Sequence, residues 1–264
     1  MAKLSTSLGM IGVDEQGSGG VPLVFLHGVG SDRSAWAPQL AHFGTTRRTI
    51  AFDYPGYGES DPLVERTGAP HDQLAEAIIA ALDSLGLDIV HLCGLSLGGV
   101  VAIAIAHRAP YRLASLILAD SFAKHSDGQE MLARSLAASD NMRALASARV
   151  PVLVGPNSAP ELVAQLIVVM AAIDASAFRL GSAAVWPVDQ RDRARAITAP
   201  TLILCGSNDQ VTPPPLSDEL ARLIACSRLE MIPCAGHLPN LEQPATFNAA
   251  VGAFVDEVES KGKY

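Results

Sequence analysis

The sequence predicts an α/β fold: a mostly parallel central sheet flanked by helices, with a small helical cap inserted between late strands. Three observations predict it. Near-continuous apolar runs recur along the chain, helical patterns lie between several of them, and the rhythm breaks once, between Asp120 and Ala199. The runs are Leu23 to His27, Thr49 to Asp53, Ile89 to Cys93, Leu113 to Asp120, Thr201 to Cys205 and Leu229 to Cys234. Continuous rather than alternating apolar character is expected of parallel strands covered on both faces. His71 to Leu85 places Leu74, Ile78, Ala81, Leu82 and Leu85 at helical spacing and stops at Gly86, a helix-ending residue. Leu97 to Arg108 is small and apolar and ends before Pro110. Strand, helix and strand in repetition require right-handed crossovers, hence a parallel sheet.

The interruption carries apolar helical stretches instead of strands, notably Glu161 to Ala172. Helices inserted there sit over the carboxyl ends of the strands, where open α/β sheets place their ligands. The expected division is a core of residues 1–121 and 197–264 and a cap of residues 122–196. The polar stretch Glu257 to Tyr264 is expected to fray.

Composition narrows the classes of function. Hydrophobic residues make up 49% of the 264 and charged residues 17%, enough apolar material for a large core and too little charge for disorder. A net charge of −8 argues against nucleic acid, whose phosphates require a concentrated cationic surface. Arg47-Arg48 and Arg191, Arg193 and Arg195 are too short to form one. Met1 to Ser7 lacks the apolar stretch of a secretion signal and no run reaches transmembrane length, so a soluble cytoplasmic protein with no membrane partner is expected. Cys93, Cys205, Cys226 and Cys234 form no CxxC pair and no zinc-ligand spacing. They read as structural thiols, and no metal or cofactor is expected.

Chemistry concentrates in three loops. Gly94-Leu95-Ser96-Leu97-Gly98 follows a strand and opens a helix, the context in which GxSxG holds a serine on a tight turn. The helix N-terminus supplies unpaired N–H groups and a positive dipole end, so Leu97 N–H is a natural oxyanion donor. Asp209 lies just past one late strand and His237, in Cys234-Ala235-Gly236-His237, just past the next. Neutral His237 can take the Ser96 proton while Asp209 fixes its tautomer. Phe25-Leu26-His27-Gly28-Val29-Gly30 closes an early strand, and Val29 N–H can be the second oxyanion donor. His27 is read as tying down that loop and Trp36 as packing. Asp120, at the end of the strand before the cap, is a second candidate acid behind Asp209.

These elements, with Asp53-Tyr54-Pro55-Gly56-Tyr57-Gly58-Glu59-Ser60, resemble the α/β-hydrolase superfamily over essentially the full length of the chain. The last string is similar to the DxPGxGxS segment that shapes a turn after a strand in that family. The resemblance implies a triad of Ser96, Asp209 and His237 with Val29 and Leu97 N–H groups as oxyanion hole, and no cofactor. Within the superfamily the chain is similar to 3-oxoadipate enol-lactonases and small carboxylesterases, which implies a small-molecule ester or lactone substrate.

A serine at position 96 disfavours the haloalkane dehalogenases and epoxide hydrolases of this fold, which attack with a carboxylate. His27-Gly28-Val29-Gly30 departs from the HGGPG of proline iminopeptidases and the HGSGPG of many carbon–carbon bond hydrolases. A ligand-binding receptor on the same fold, a cofactor-free perhydrolase or haloperoxidase and a carbon–carbon bond hydrolase stay open beside the esterase or lactonase. Leu166, Met170 and Trp186, with Ile167 and Phe178, are candidate apolar substrate contacts or cap core. Arg134, Arg143, Arg149 and Arg179 are candidate cations for a carboxylated lactone, or solvated surface residues.

Overall fold

The computed structural model describes residues 2–63 and 67–262. Among them, one eight-stranded sheet runs in the order β1-β2-β4-β3-β5-β6-β7-β8. Strands β3 (Leu23–Leu26), β4 (Thr49–Phe52), β5 (Val90–Leu95), β6 (Leu113–Ala119), β7 (Thr201–Gly206) and β8 (Ser227–Ile232) match the six apolar runs to within a few residues, and they pair with one another in parallel. Every residue of β3 to β7 is buried, the physical reason their sequences do not alternate.

The structure adds two strands that no apolar run announces. β1 (Ala2–Thr6) and β2 (Gly9–Gln16) form an antiparallel hairpin whose second strand pairs with β4. They lie at the sheet edge, partly exposed, so polar residues are tolerated there and the apolar signal is diluted.

Helix α1 (Ala37–Phe43) follows β3, and α2 (Pro70–Ser84) and α3 (Leu97–Arg108) flank β5 in sequence, the latter two within a residue of their predicted limits. Residues 97–106 of α3 are all buried, which its alanines and glycines permit by letting the helix lie close to the sheet and to α2. The interruption between β6 and β7 folds as five helices: α4 (Gly128–Ala138), α5 (Met142–Leu153), α6 (Pro160–Ala171), α7 (Ala175–Val185) and α8 (Arg191–Arg195). Then come α9 (Pro214–Leu223), α10 (Pro239–Glu242) and α11 (Pro244–Ser260). Helix α11 carries the supposedly frayed tail as far as Ser260, because Phe254, Val255 and Val258 keep one face of its last turns buried in the core. Positions 263 and 264 lie outside the described residues. Among the described residues no single helix is long and apolar enough to cross a membrane.

Candidate active site

Ser96 sits between the last residue of β5 and the first of α3 with φ 56° and ψ −115°, a backbone conformation that is costly for a side chain other than glycine. Its neighbours hold it there. Ser96 N–H donates to the Ala119 carbonyl at 2.9 Å, and Ser121 Oγ donates to the Ser96 carbonyl at 2.9 Å. Glycine is obligatory on both sides: a Cβ at Gly94 would lie 2.2 Å from the Gly98 carbonyl oxygen, and one at Gly98 would lie 2.1 Å from that of Leu26. Leu97 opens α3, so its N–H has no acceptor within the helix.

The loop after β3 forms the facing wall. His27 is fully buried; Tyr54 N–H donates to its Nε2 at 3.3 Å, which puts the ring proton on Nδ1, 2.8 Å from the Gly28 carbonyl oxygen. Burial pushes its pKa down, more than the nearby Asp53 charge pushes it up. His27 is therefore a neutral strut between this loop and the turn after β4. Tyr57 Oη donates to the Val29 carbonyl at 3.2 Å and fixes the next peptide. That turn is itself locked by Asp53, which accepts from the backbone N–H groups of Arg33 at 2.8 Å and Glu59 at 3.1 Å and pairs with the Arg33 guanidinium.

Past β7 and β8, Asp209 and His237 meet. His237 Nδ1 lies 2.8 Å from Asp209 Oδ2, which also accepts from Thr212 Oγ1 at 2.6 Å, while Oδ1 accepts from the N–H groups of Val211 at 2.8 Å and Thr212 at 3.1 Å. Burial by itself would raise the Asp209 pKa; the neighbouring His237 and these hydrogen bonds outweigh it and hold the carboxyl below the usual carboxylate range. Asp209 is thus an anion aimed at the imidazole.

Asp120 is different. It follows β6 with φ 46°, is fully buried, and accepts one hydrogen bond, from Gly206 N–H at 2.8 Å, while its Oδ2 has no partner. Burial, reinforced by the charge of Asp209, pushes its pKa well above the usual carboxylate range. Ligand atoms of Asp120, Asp209 and His237 lie within 4.8 Å of one another. A metal would nonetheless find Asp209 already engaged by four donors and the charged form of Asp120 disfavoured by burial, so the trio fits a hydrogen-bonded set better than a cation site.

Sequence reasoning missed two further residues. Thr212 braces Asp209 and stands 3.2 Å from His237 Nδ1. Glu242 gathers four donors: Oε1 accepts from Gly236 N–H at 2.9 Å and Leu238 N–H at 3.1 Å, and Oε2 from Gly155 N–H at 2.6 Å and Ser158 Oγ at 2.7 Å. It clamps both residues flanking His237 to the segment after α5, and His237 N–H donates to the Leu153 carbonyl at 2.7 Å. The available signal was an acidic residue five positions after His237 at the end of a short helix.

One cavity brings these loops together. It is lined by Ser96, His237 and Val29 on the core side, and by Arg149, Val150, Leu153, Leu166 and Met170 from α5 and α6. Of the three candidate substrate contacts, Leu166 and Met170 line this cavity. Trp186 does not line it: the ring is 1% exposed and stacks on Phe122 at 6.1 Å, the cap-core alternative of its reading. Ile167 and Phe178 do not line the cavity either. Trp36 both packs on Phe25 at 4.8 Å and lines the cavity. Of the four arginines, Arg134 pairs with Glu130, Arg179 with Asp140, Arg143 is exposed, and Arg149 alone lines the cavity.

Comparison with known proteins agrees with this layout. The profile of a family described as the alpha/beta hydrolase family matches residues 23–250. A 3-oxoadipate enol-lactonase of Acinetobacter baylyi is 30% identical over 241 residues, covering 90% of this chain and 89% of its own. A thermophilic esterase of Thermogutta terrifontis superposes with a TM-score of 0.86 at 28% identity, covering 97% of this chain and 98% of its own. The enol-lactonase of Burkholderia xenovorans does so with 0.88 at 26% identity, covering 97% and 100%. With its profile match spanning most of the sequence and its sheet, elbow serine and late-strand loops in place, the chain belongs to the alpha/beta hydrolase family.

Proposed function

We propose that the protein hydrolyses a carboxylic ester or lactone of a small molecule through an acyl-enzyme on Ser96. The observation that carries this reading is the Asp209–His237 pair, hydrogen-bonded at 2.8 Å, whose imidazole lines the same cavity as the strained Ser96 turn. Asp209 holds the proton of neutral His237 on Nδ1, which leaves Nε2 free to accept the Ser96 proton as Oγ attacks the carbonyl carbon. Negative charge then develops on the carbonyl oxygen, for which Val29 and Leu97 N–H groups are the donors. Collapse of the tetrahedral intermediate breaks the bond to the leaving oxygen, which takes the proton from His237. With an ester the alcohol departs; with a lactone the new hydroxyl stays tethered to the acyl group. Water then gives a proton to His237, attacks the acyl-enzyme and releases the acid, and Ser96 regains its proton.

The insertion of residues 122–196 serves as the cap in this reading, since Leu166 and Met170 reach the cavity from it. The kinship with enol-lactonases and esterases supports the ester or lactone bond as the one cut. A turnover screen over short 4-nitrophenyl esters, long 4-nitrophenyl esters and γ- and δ-lactones tests it, with Ser96→Ala as control. Hydrolysis that disappears in the variant is expected. Ligand-induced stabilisation with no product after long incubation would instead identify a binding protein, and peroxide-dependent bromination exceeding ester hydrolysis would identify a haloperoxidase.

A further inference from the structure

Arg149 lies on α5 and lines the cavity that Ser96 and His237 share. Its neighbours on that wall, Val150, Leu153, Leu166 and Met170, offer no side-chain acceptor. Its guanidinium carbon stands 5.5 Å over the Trp186 ring, which is itself stacked on Phe122, so the cation rests on a rigid aromatic floor. Its Nε is sealed from solvent without a hydrogen-bond partner, and among the described residues it forms no ion pair. The other inward-facing arginines are provided for: Arg33 by Asp14, Asp53 and Glu59, Arg47 by Asp256 and Glu259. Burial lowers the pKa of Arg149, the mark of a cation that lacks a counter-charge.

A guanidinium held beside apolar walls is costly unless an anion joins it, and its planar fork is matched by a carboxylate. We propose that Arg149 anchors a carboxylate carried by the substrate, so that the site takes an ester or lactone bearing a second, free acid group. This rests on the hydrolase reading for the bond that is cut, but the anchoring itself is a binding property and can be measured without turnover.

The test uses Ser96→Ala protein and two probes that differ in one charge, monomethyl glutarate and dimethyl glutarate, with dissociation constants from calorimetry. The mono-acid is expected to bind about ten- to a hundredfold more tightly than the diester, the size of one or two charge-assisted hydrogen bonds. Adding Arg149→Met should abolish that preference in protein whose circular dichroism is unchanged. If the Met variant does not fold, Arg149→Lys decides, because a point charge cannot reproduce the fork and the preference should shrink at least severalfold. A mono-acid that binds no better than the diester, or a preference that survives Arg149→Met or stands undiminished in Arg149→Lys, would overturn the proposal. Failure of the unsubstituted protein to hydrolyse any ester, with the acid preference intact and dependent on Arg149, would remove the hydrolase reading and support the anchor.

Discussion

Replacing Asp209 by Asn separates the two buried acids beside His237. In the native site Asp209 Oδ1 satisfies two backbone N–H groups and Oδ2 accepts from His237 Nδ1 and Thr212 Oγ1. An Asn can keep its carbonyl on the backbone pair, which turns its NH2 toward His237. His237 Nδ1 must then accept, its proton moves to Nε2, and in the proposed mechanism Nε2 can no longer take the Ser96 proton. The analogous substitution in serine proteases lowers kcat by about 10⁴ with geometry preserved, and a loss of about 10³ to 10⁴ is expected here. Asp120→Asn changes little by the same logic. Burial disfavours the charged form of Asp120, and an amide can still accept from Gly206 N–H, so kcat within about threefold of native is expected. Steady-state hydrolysis of 4-nitrophenyl butyrate by both variants, with melting curves to confirm folding, reads the difference. Retention of more than about a tenth of kcat in Asp209→Asn, or an equal collapse in Asp120→Asn, would refute the assignment of roles.

Three further outcomes follow from the structure. Glu242→Gln turns an amide NH2 onto donors that now point at a carboxylate, which should cost about 1–3 kcal/mol and lower Tm by about 3–8 °C, with kcat falling more than KM rises because His237 lies between two of the clamped residues; differential scanning calorimetry and kinetics check both. Gly94→Ala forces a Cβ to 2.2 Å from the Gly98 carbonyl oxygen, and soluble yield or Tm should drop sharply, whereas an unchanged melt would show that the elbow can relax. Burial lowers the pKa of His27 and holds His91 down at about 4. Both bind fewer protons folded than unfolded, so their contribution is complete above the unfolded value of about 6.5 and declines below it; that of His91 is lost as pH falls toward 4, at up to about 1.4 kcal/mol per pH unit. Urea unfolding at pH 7, 5.5 and 4.5 should show this decline, and His91→Gln should flatten it.

How much could be read from the chain follows from what each residue needs. The buried parallel strands and α3 were legible because burial on all sides leaves an unbroken apolar record, as in Leu23 to Leu26 and Leu97 to Ala106. Ser96 was legible because its turn admits glycine alone at positions 94 and 98. The β1–β2 hairpin was not, since an exposed edge imposes no such record. Nor was the contrast between Arg149 and its exposed counterparts: an arginine on a helix reads the same whether a cavity or solvent lies beside it, and only the packing of α5 over Trp186 separates them. Trp186 shows the reverse. A large aromatic in an insertion suggests a ligand wall, but its volume was needed beneath Phe122 and Arg149. Glu242 was missed because its partners are backbone N–H groups, which leave no trace in side-chain spacing.

The assignment of Ser96 as nucleophile stands or falls on where a covalent adduct forms. Incubation with a fluorophosphonate, followed by proteolysis and mass spectrometry of the peptides, locates it. A single phosphonyl group on Ser96, absent from Ser96→Ala and slowed by orders of magnitude in a His237→Ala variant, is the expected result. An adduct on another serine, or no adduct while ester hydrolysis proceeds, would contradict it.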